Sequence, residues 1–508
     1  MLAKVNGVTL HGINAVPITV EVDASRGLPN ETIVGLPDTV IRESKSRIKT
    51  AIKQSQFEYP LKNYTINLAP AEIKKEGPLL DLAIAVGVLQ STQQLPLDDK
   101  TIFIGELSLD GNITPVRGAL AICHQFSQSH PKHHIFISYH NYGDVQLLKN
   151  PNIIPLKTLQ QLPLFYQDPS SLPKPRQKKI HLSTATPLDF KDVKGQLLAK
   201  RGLEIAAAGK HNVLLVGPPG SGKSMLLKRL PYILPKLSVD KTIETGKIHN
   251  LLSSKLSEQT LLSQTPPFRA PHHSISYAGM VGGGTHPKPG EISLAHHGIL
   301  FLDELPEFSK QVLEVLRQPL EDKEVLLSRA MMSVRYPANF MFVAAMNPCP
   351  CGYYNSHSHH CNCRPHHVTS YLKKISGPIL DRIDLIIEVP KLKKEDYFES
   401  PTTEKNTFTN ELMSKRIQVA QHLQRQRYHK ECYNADISPK VLDQTCPLSE
   451  DSIQLLSKAL DKHMITGRSL HKCIKVARTI ADLEEVPHIT YKHIAEALQL
   501  RKFKFKPE

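Results

Sequence analysis

The sequence predicts a multidomain α/β protein, in which a phosphate-loop core lies between an α/β amino-terminal block and a helical carboxyl-terminal segment. Three observations predict this. Residues Gly217–Ser224 read Gly-Pro-Pro-Gly-Ser-Gly-Lys-Ser directly after the apolar run Val213–Val216, which is a phosphate loop between a strand and a helix. Gly298–Glu304 (Gly-Ile-Leu-Phe-Leu-Asp-Glu) and Phe342–Asn347 (Phe-Val-Ala-Ala-Met-Asn) are further apolar runs, continuous rather than alternating. Strands buried on both faces of a parallel sheet have that pattern. Beyond residue 393 the pattern is mostly helical, after a polar entry rich in Lys, Glu and Thr.

At 508 residues the chain is too long for one hydrophobic core. Residues 1–168 form the first block. Short runs at Ile18–Val22, Tyr64–Leu68, Thr101–Ile104 and Ile135–Ser138 read as strands, and stretches near 38–55 and 80–90 as helices, so the block is α/β or α+β. Residues 169–190 are polar and rich in Pro and Lys, as a linker is. Residues 191–392 hold the nucleotide core and residues 393–508 the helical lid.

Composition excludes several classes. Hydrophobic content of 40% with 22% charged residues is that of a globular protein. No stretch approaches the ~20 apolar residues that span a bilayer. The start, Met-Leu-Ala-Lys-Val, lacks the layout of a signal peptide, so a cytoplasmic protein with no membrane partner is expected. A formal charge of +15 points to a polyanionic partner. Four of the eight cysteines lie between Cys349 and Cys363. In a reducing compartment that reads as metal binding before disulfides.

The phosphate loop carries the central chemistry. Its glycines, Gly217, Gly220 and Gly222, with Pro218, Pro219 and Ser221 between them, let backbone N–H groups turn toward phosphates. Lys223 is placed to reach the β- and γ-phosphates of ATP, and the Ser224 hydroxyl stands where a Mg²⁺ ligand belongs. At the end of the second apolar run, Asp303 is placed to hold Mg²⁺, and Glu304 to polarise the attacking water. Asn347, at the end of the third, is placed to orient that water or touch the γ-phosphate. Arg382, in Leu-Asp-Arg-Ile-Asp before the strand Leu385–Val389, suits an arginine supplied in trans to a neighbour's phosphate. Arg468, opening a helix through Ile474 and Ala477, is placed to act in cis.

Taken together, Gly217–Ser224, Gly298–Glu304, Asn347 and Leu380–Asp384 resemble an AAA+ ATPase. Narrower strings are Gly-Glu-Ile-Ser-Leu-Ala-His (290–296), Ala-Ala-Met-Asn-Pro-Cys-Pro-Cys-Gly (344–352), Ser-Gly-Pro-Ile-Leu-Asp-Arg-Ile-Asp-Leu (376–385) and Val-Ala-Arg-Thr-Ile-Ala-Asp-Leu (476–483). These resemble the magnesium-chelatase-like AAA+ group and, within it, the ComM/YifB family, over essentially the whole chain. The resemblance implies a homo-hexameric, ATP-driven motor on DNA, a branch-migration helicase that helps integrate transforming DNA. It makes Asn347 sensor 1, Arg382 the finger and Arg468 the sensor-2 candidate, with Arg478 a weaker alternative. A chelatase motor subunit that helps insert Mg²⁺ into a porphyrin, a protein remodeller and a non-enzymatic DNA scaffold are the alternatives.

The first block resembles the Lon-protease fold through Glu-Gly-Pro-Leu-Leu-Asp (76–81) and Gly-Glu-Leu-Ser-Leu-Asp-Gly-Asn-Ile-Thr-Pro-Val (105–116). Positions that carry serine and lysine in a working site of that type hold Leu79 and Leu120 here. Neither side chain is a nucleophile or a base, so a binding or assembly module is expected. Cys349, Cys351, Cys361 and Cys363 suit a tetrahedral structural Zn²⁺, with His357, His359, His360, His366 and His367 as nearby substitutes. The unliganded alternative stays open. Two segments are expected to meet DNA, single-stranded, duplex or branched: the glycine-rich Tyr277–Glu291 with Lys288, and a hairpin over Glu324–Tyr336 with Arg329 and Arg335. Cations in such loops give salt-dependent, sequence-tolerant binding.

Overall fold

The computed structural model describes residues 1–75, 77–172, 188–252, 261–284, 287–329, 332–354, 360–392, 408–429, 431–462 and 466–501, with Ser170, Arg329, Met332 and Arg468 described by backbone alone. Most of the expected linker (173–187) and the polar entry to the lid (393–407) lie outside these residues. The chain divides into two compact units. One is Met1–Leu182 with Ser238–Gln264, and the other is Ser183–Leu237 with Thr265–Glu508.

The first unit is a seven-stranded mixed sheet with helices on both faces. Its strands are β1 (Leu2–His11), β2 (Asn14–Ser25), β3 (Asn30–Val34), β4 (Asn63–Ala69), β5 (Thr101–Phe103), β6 (His134–Ser138) and β7 (Ile153–Leu156), in the order β3-β4-β2-β1-β5-β6-β7. Buried residues alternate along β2 (Ile18, Val20, Val22, Ala24), so one face of that strand lines the first of the sheet's two cores. One core takes α1 (Thr39–Gln54) and α2 (Asp81–Ser91), and the other takes α3 (Ala119–Ser129). The Asp38 carboxylate starts α1 by accepting the Ile41 N–H at 2.8 Å. α2 is apolar all round (Leu82–Leu89) and is accordingly buried along its whole length.

The second unit is built on a five-stranded parallel sheet. After α4 (Leu197–Gly209) come β8 (Val213–Val216) and α5 (Lys223–Leu227). The chain then leaves this unit for α6 (Val239–Asn250), which belongs to the first, and returns as β9 (Phe268–Arg269) and β10 (Ile299–Leu302). The hairpin β11 (Glu324–Arg329) and β12 (Met332–Pro337) precedes β13 (Met341–Met346) and β14 (Leu385–Glu388). The sheet order is β9-β10-β13-β8-β14, with β8, β10 and β13 buried at every position. Helices α7 (Asn410–Tyr428), α8 (Gly467–Leu483) and α9 (Tyr491–Gln499) close the chain.

This architecture differs from the expected pieces in two ways. Residues 191–392 are not one body, because Ser238–Gln264 packs with residues 1–182. Within the first unit, Gly246 of α6 lies so close to Leu120 that a Cβ there would come within 2.9 Å of its methyl group. The Asn250 side chain accepts the Leu120 N–H at 3.2 Å. Nor do residues 393–508 form a core of their own: one apolar cluster runs from Phe190 through the sheet to Met413, Ile480 and Leu500. Gly202 permits this, since Ile387 and Leu500 occupy the space a side chain would need.

Candidate active site

The phosphate loop hangs from the carboxyl end of β8, with Gly220 and Gly222 at φ of 72° and 89°. Only glycine holds such angles without strain. The Lys223 ammonium donates to Gly217 O at 2.7 Å, Pro218 O at 2.9 Å and Asn347 Oδ1 at 3.1 Å. Asn347 is thereby brought to the loop from the end of β13. Burial pushes the Lys223 ammonium down to about 8, against the pull of Asp303 and Glu304.

Asp303 follows β10, and its Oδ2 accepts the Ser224 hydroxyl at 2.7 Å. A hydroxyl and a carboxylate meeting beside a phosphate loop are the donor set Mg²⁺ takes. Glu304 sits in the left-handed region (φ 53°), with its N–H on Asp303 Oδ1 at 3.0 Å. Holding a non-glycine residue there costs about 1–3 kcal/mol. The turn aims the Glu304 carboxylate outward, where His273 Nδ1 lies 3.6 Å away. Sequence reasoning missed His273. It follows the two-residue strand β9, too short to show any periodicity.

Arg382 stands elsewhere. β14 pairs with β8 in parallel, Val213 opposite Leu385, so a residue before Leu385 lies at the amino end of the sheet. The phosphate loop leaves the carboxyl end, a strand length of roughly 13 Å away. Arg382 Nη1 donates to Pro378 O at 2.7 Å, and Nη2 pairs with Glu321. Arg468 belongs to the same end. The adjacent Ser469 Oγ accepts Arg501 Nη2 at 3.3 Å, while Arg501 Nη1 donates to the carbonyls of Ile383 and Asp384 at 2.6 Å each. The expectation that Arg468 acts in cis is therefore corrected, because α8 starts beside the Arg382 turn and not beside its own phosphate loop. Arg478, the weaker alternative, is engaged within the helical segment. It is buried, lies 3.0 Å from Asp482 and donates to the Val486 and Pro487 carbonyls at 2.6 Å each.

All four cysteines converge, with no histidine needed. The Sγ atoms lie within 4.8 Å of one another, Cys349 at 3.3 Å from Cys351 and 3.7 Å from Cys361, and Cys351 at 3.5 Å from Cys361. Zinc–sulfur bonds of ~2.3 Å in a tetrahedron place sulfurs ~3.8 Å apart, so the set fits Zn²⁺. His360, His366 and His367 are exposed outside this set, and His357 and His359 lie outside the described residues. Gly352 (φ 85°) lies against the phosphate loop: a Cβ there would come within 2.3 Å of the Pro219 ring.

β11 and β12 form the expected antiparallel hairpin, with exposed Arg335 3.6 Å from Glu324. Exposed Lys288 pairs opposite Gly283 in a two-residue ladder. In the first unit, Leu79 and Leu120 are buried, Leu79 within an apolar cluster. Among the described residues no helix is long and apolar enough to cross a membrane.

Comparison with known proteins yields a consistent set. The family described as "Magnesium chelatase, subunit ChlI" matches residues 189–397, "Subunit ChlI of Mg-chelatase" residues 20–141, and "Magnesium chelatase, subunit ChlI C-terminal" residues 408–501. The chain is 40% identical over 496 residues to competence protein ComM of Haemophilus influenzae, covering 96% of this chain and 95% of that one. It is also 40% identical over 492 residues to protein YifB of Salmonella typhimurium, with the same coverage of 96% and 95%. A stretch of 169 residues is 29% identical to Lon protease 2 of Bacillus subtilis, 32% of this chain and 30% of that protein.

Proposed function

The chain belongs to the ComM/YifB family of magnesium-chelatase-like AAA+ proteins, and from that premise we propose that it is an ATP-driven DNA motor. It works as a homo-hexameric branch-migration helicase in the cytoplasm, promoting integration of incoming DNA during natural transformation and recombination. The observation that carries this reading is the distance between Arg382 and its own phosphate loop. One copy holds the phosphates at one end of its sheet and offers its arginines at the other, so a complete site needs a neighbour. The name of the Haemophilus influenzae relative, competence protein ComM, supports the transformation part of this reading.

In that site Lys223 turns from the loop carbonyls and Asn347 to the β- and γ-phosphates of ATP. Ser224 and Asp303 hold Mg²⁺, which when bound neutralises phosphate charge. Glu304 takes the proton of the attacking water and Asn347 orients it. Arg382, with Arg468 beside it, stabilises the phosphoryl charge of the adjacent copy. Cys349, Cys351, Cys361 and Cys363 hold a structural Zn²⁺. Lys288, Arg329 and Arg335 grip DNA phosphates, and the first unit serves binding or assembly. Likeness to ComM and YifB over 96% of the chain, first unit included, argues against a bare chelatase subunit.

The test measures ATP turnover with and without DNA, and conversion of three- and four-way junctions. Wild type is expected to hydrolyse ATP faster with DNA and to resolve junctions only with ATP. Glu304→Gln should bind ATP normally and lose turnover by at least about 100-fold. Turnover indifferent to DNA, with junctions left intact, would sink the motor reading and favour a protein remodeller or chelatase subunit.

A further inference from the structure

The amino end of the second unit's sheet holds a buried polar cluster that the ATP chemistry leaves unexplained. At its centre is Asp384, 7% exposed, directly after the Arg382 turn. Its Oδ2 accepts the Asn212 N–H at 2.9 Å and lies 3.7 Å from His211 Nδ1. Its Oδ1 takes the Lys472 ammonium at 2.8 Å. Lys472 lies on α8, four residues after Arg468. His211 Nε2 lies 2.8 Å from the Thr479 hydroxyl, also on α8.

Asn212 stitches the remaining strands to this point. Its side chain donates to Arg382 O at 2.9 Å and accepts the Phe342 N–H at 2.9 Å. Arg501 completes the ring, bridging the Ile383 and Asp384 carbonyls to Ser469. Burial alone would raise the Asp384 carboxyl, yet Lys472 and His211 hold it well below the usual range. The charge is thus retained inside the protein. A packed apolar side chain could supply stability at such a place, whereas an ion pair fixes direction and register.

We propose that Asp384 is a positioning residue: its buried carboxylate locks the Arg382 turn and the start of α8 into one edge, so that Arg382 and Arg468 reach a neighbouring copy as a unit. The proposal rests on the reading of those arginines as acting in trans. Asn212 and Arg501 fix the turn through its backbone, and Lys472 fixes the helix through the carboxylate. A shift of either element moves one arginine relative to the other, and misplacement by about 1 Å costs on the order of 100-fold in rate.

The experiment is complementation in mixed rings of the full-length protein. Asp384→Asn alone should lose kcat by about 10- to 100-fold with nucleotide affinity unchanged. Mixed with Glu304→Gln, it should regain ATP turnover above that of either variant alone. Its own phosphate loop is intact, and the Glu304→Gln neighbour supplies correctly held arginines. A merely structural defect would not be repaired by such a neighbour. Arg382→Ala mixed with Glu304→Gln is the control for the trans reading. If that control regains turnover and the Asp384→Asn mixture does not, the positioning role is overturned and the trans reading stands. If the control also fails, the trans reading itself falls. Should Asp384→Asn not fold, Lys472→Met enters the same mixtures and is read by the same outcomes.

Discussion

Lys223 shows how a site is kept ready. Its ammonium donates to two loop carbonyls and to Asn347. The burial that lowers it to about 8 has a consequence with a definite sign. The unfolded chain keeps this proton to about 10.4, so the buried ammonium weakens the fold below pH 8 and does so less as pH rises from there. A bound polyphosphate raises its proton affinity again. Below pH 8 nucleotide affinity should therefore be flat, and above it binding must take up a proton. The dissociation constant should then rise by up to about tenfold per pH unit. Fluorescent-nucleotide titrations between pH 7 and 9.5 check this, and a constant value across that range would exclude it. Residues of this kind were legible because Gly217–Ser224 is a local pattern. The place of Arg468 was not, since it depends on the end of the sheet at which α8 packs.

Among the elements, the cysteine loop between β13 and β14 is the most consequential. Gly352 lies against Pro219, so the loop that gathers the four sulfurs also buttresses the phosphate loop. Protein purified without chelator is expected to carry about one zinc per chain, measured by atomic emission. Cys361→Ser should shed the metal and weaken nucleotide binding several-fold. Metal-free wild type with unaltered affinity would dissociate the two loops. Long elements were readable, α1 by its periodic apolar residues and α2 by its unbroken apolar run. The strand β9 has two residues and no pattern, and with it went His273.

For the whole molecule, the proposal ties charge to DNA. A net charge of +15 alone does not locate a contact; the proposed function assigns it to the hairpin and the Lys288 ladder. Affinity for single-stranded DNA should fall with salt in proportion to the phosphates neutralised. Lys288→Gln and Arg335→Gln should each flatten the log–log slope by about 1. Equal slopes for wild type and the double variant would remove these side chains from the interface. Fold class was legible at this scale because parallel strands advertise themselves by continuous apolar runs. The division into units was not: α6 reads as an ordinary helix, and Gly246 and Asn250 against Leu120 reveal its allegiance.

That allegiance matters to anyone who would cut the chain. The polypeptide passes between the two units after Leu182, after Leu237 and after Gln264, three threads rather than one. A fragment beginning at the Pro- and Lys-rich segment would carry Thr245, Gly246, Ile248 and Asn250 with nothing to shelter them, a sticky orphan helix emerging just past the ATP-gripping loop. A clean separation needs three incisions and a splice: residues 1–182 and 238–264 removed, and 237 joined to 265 by a short bridge.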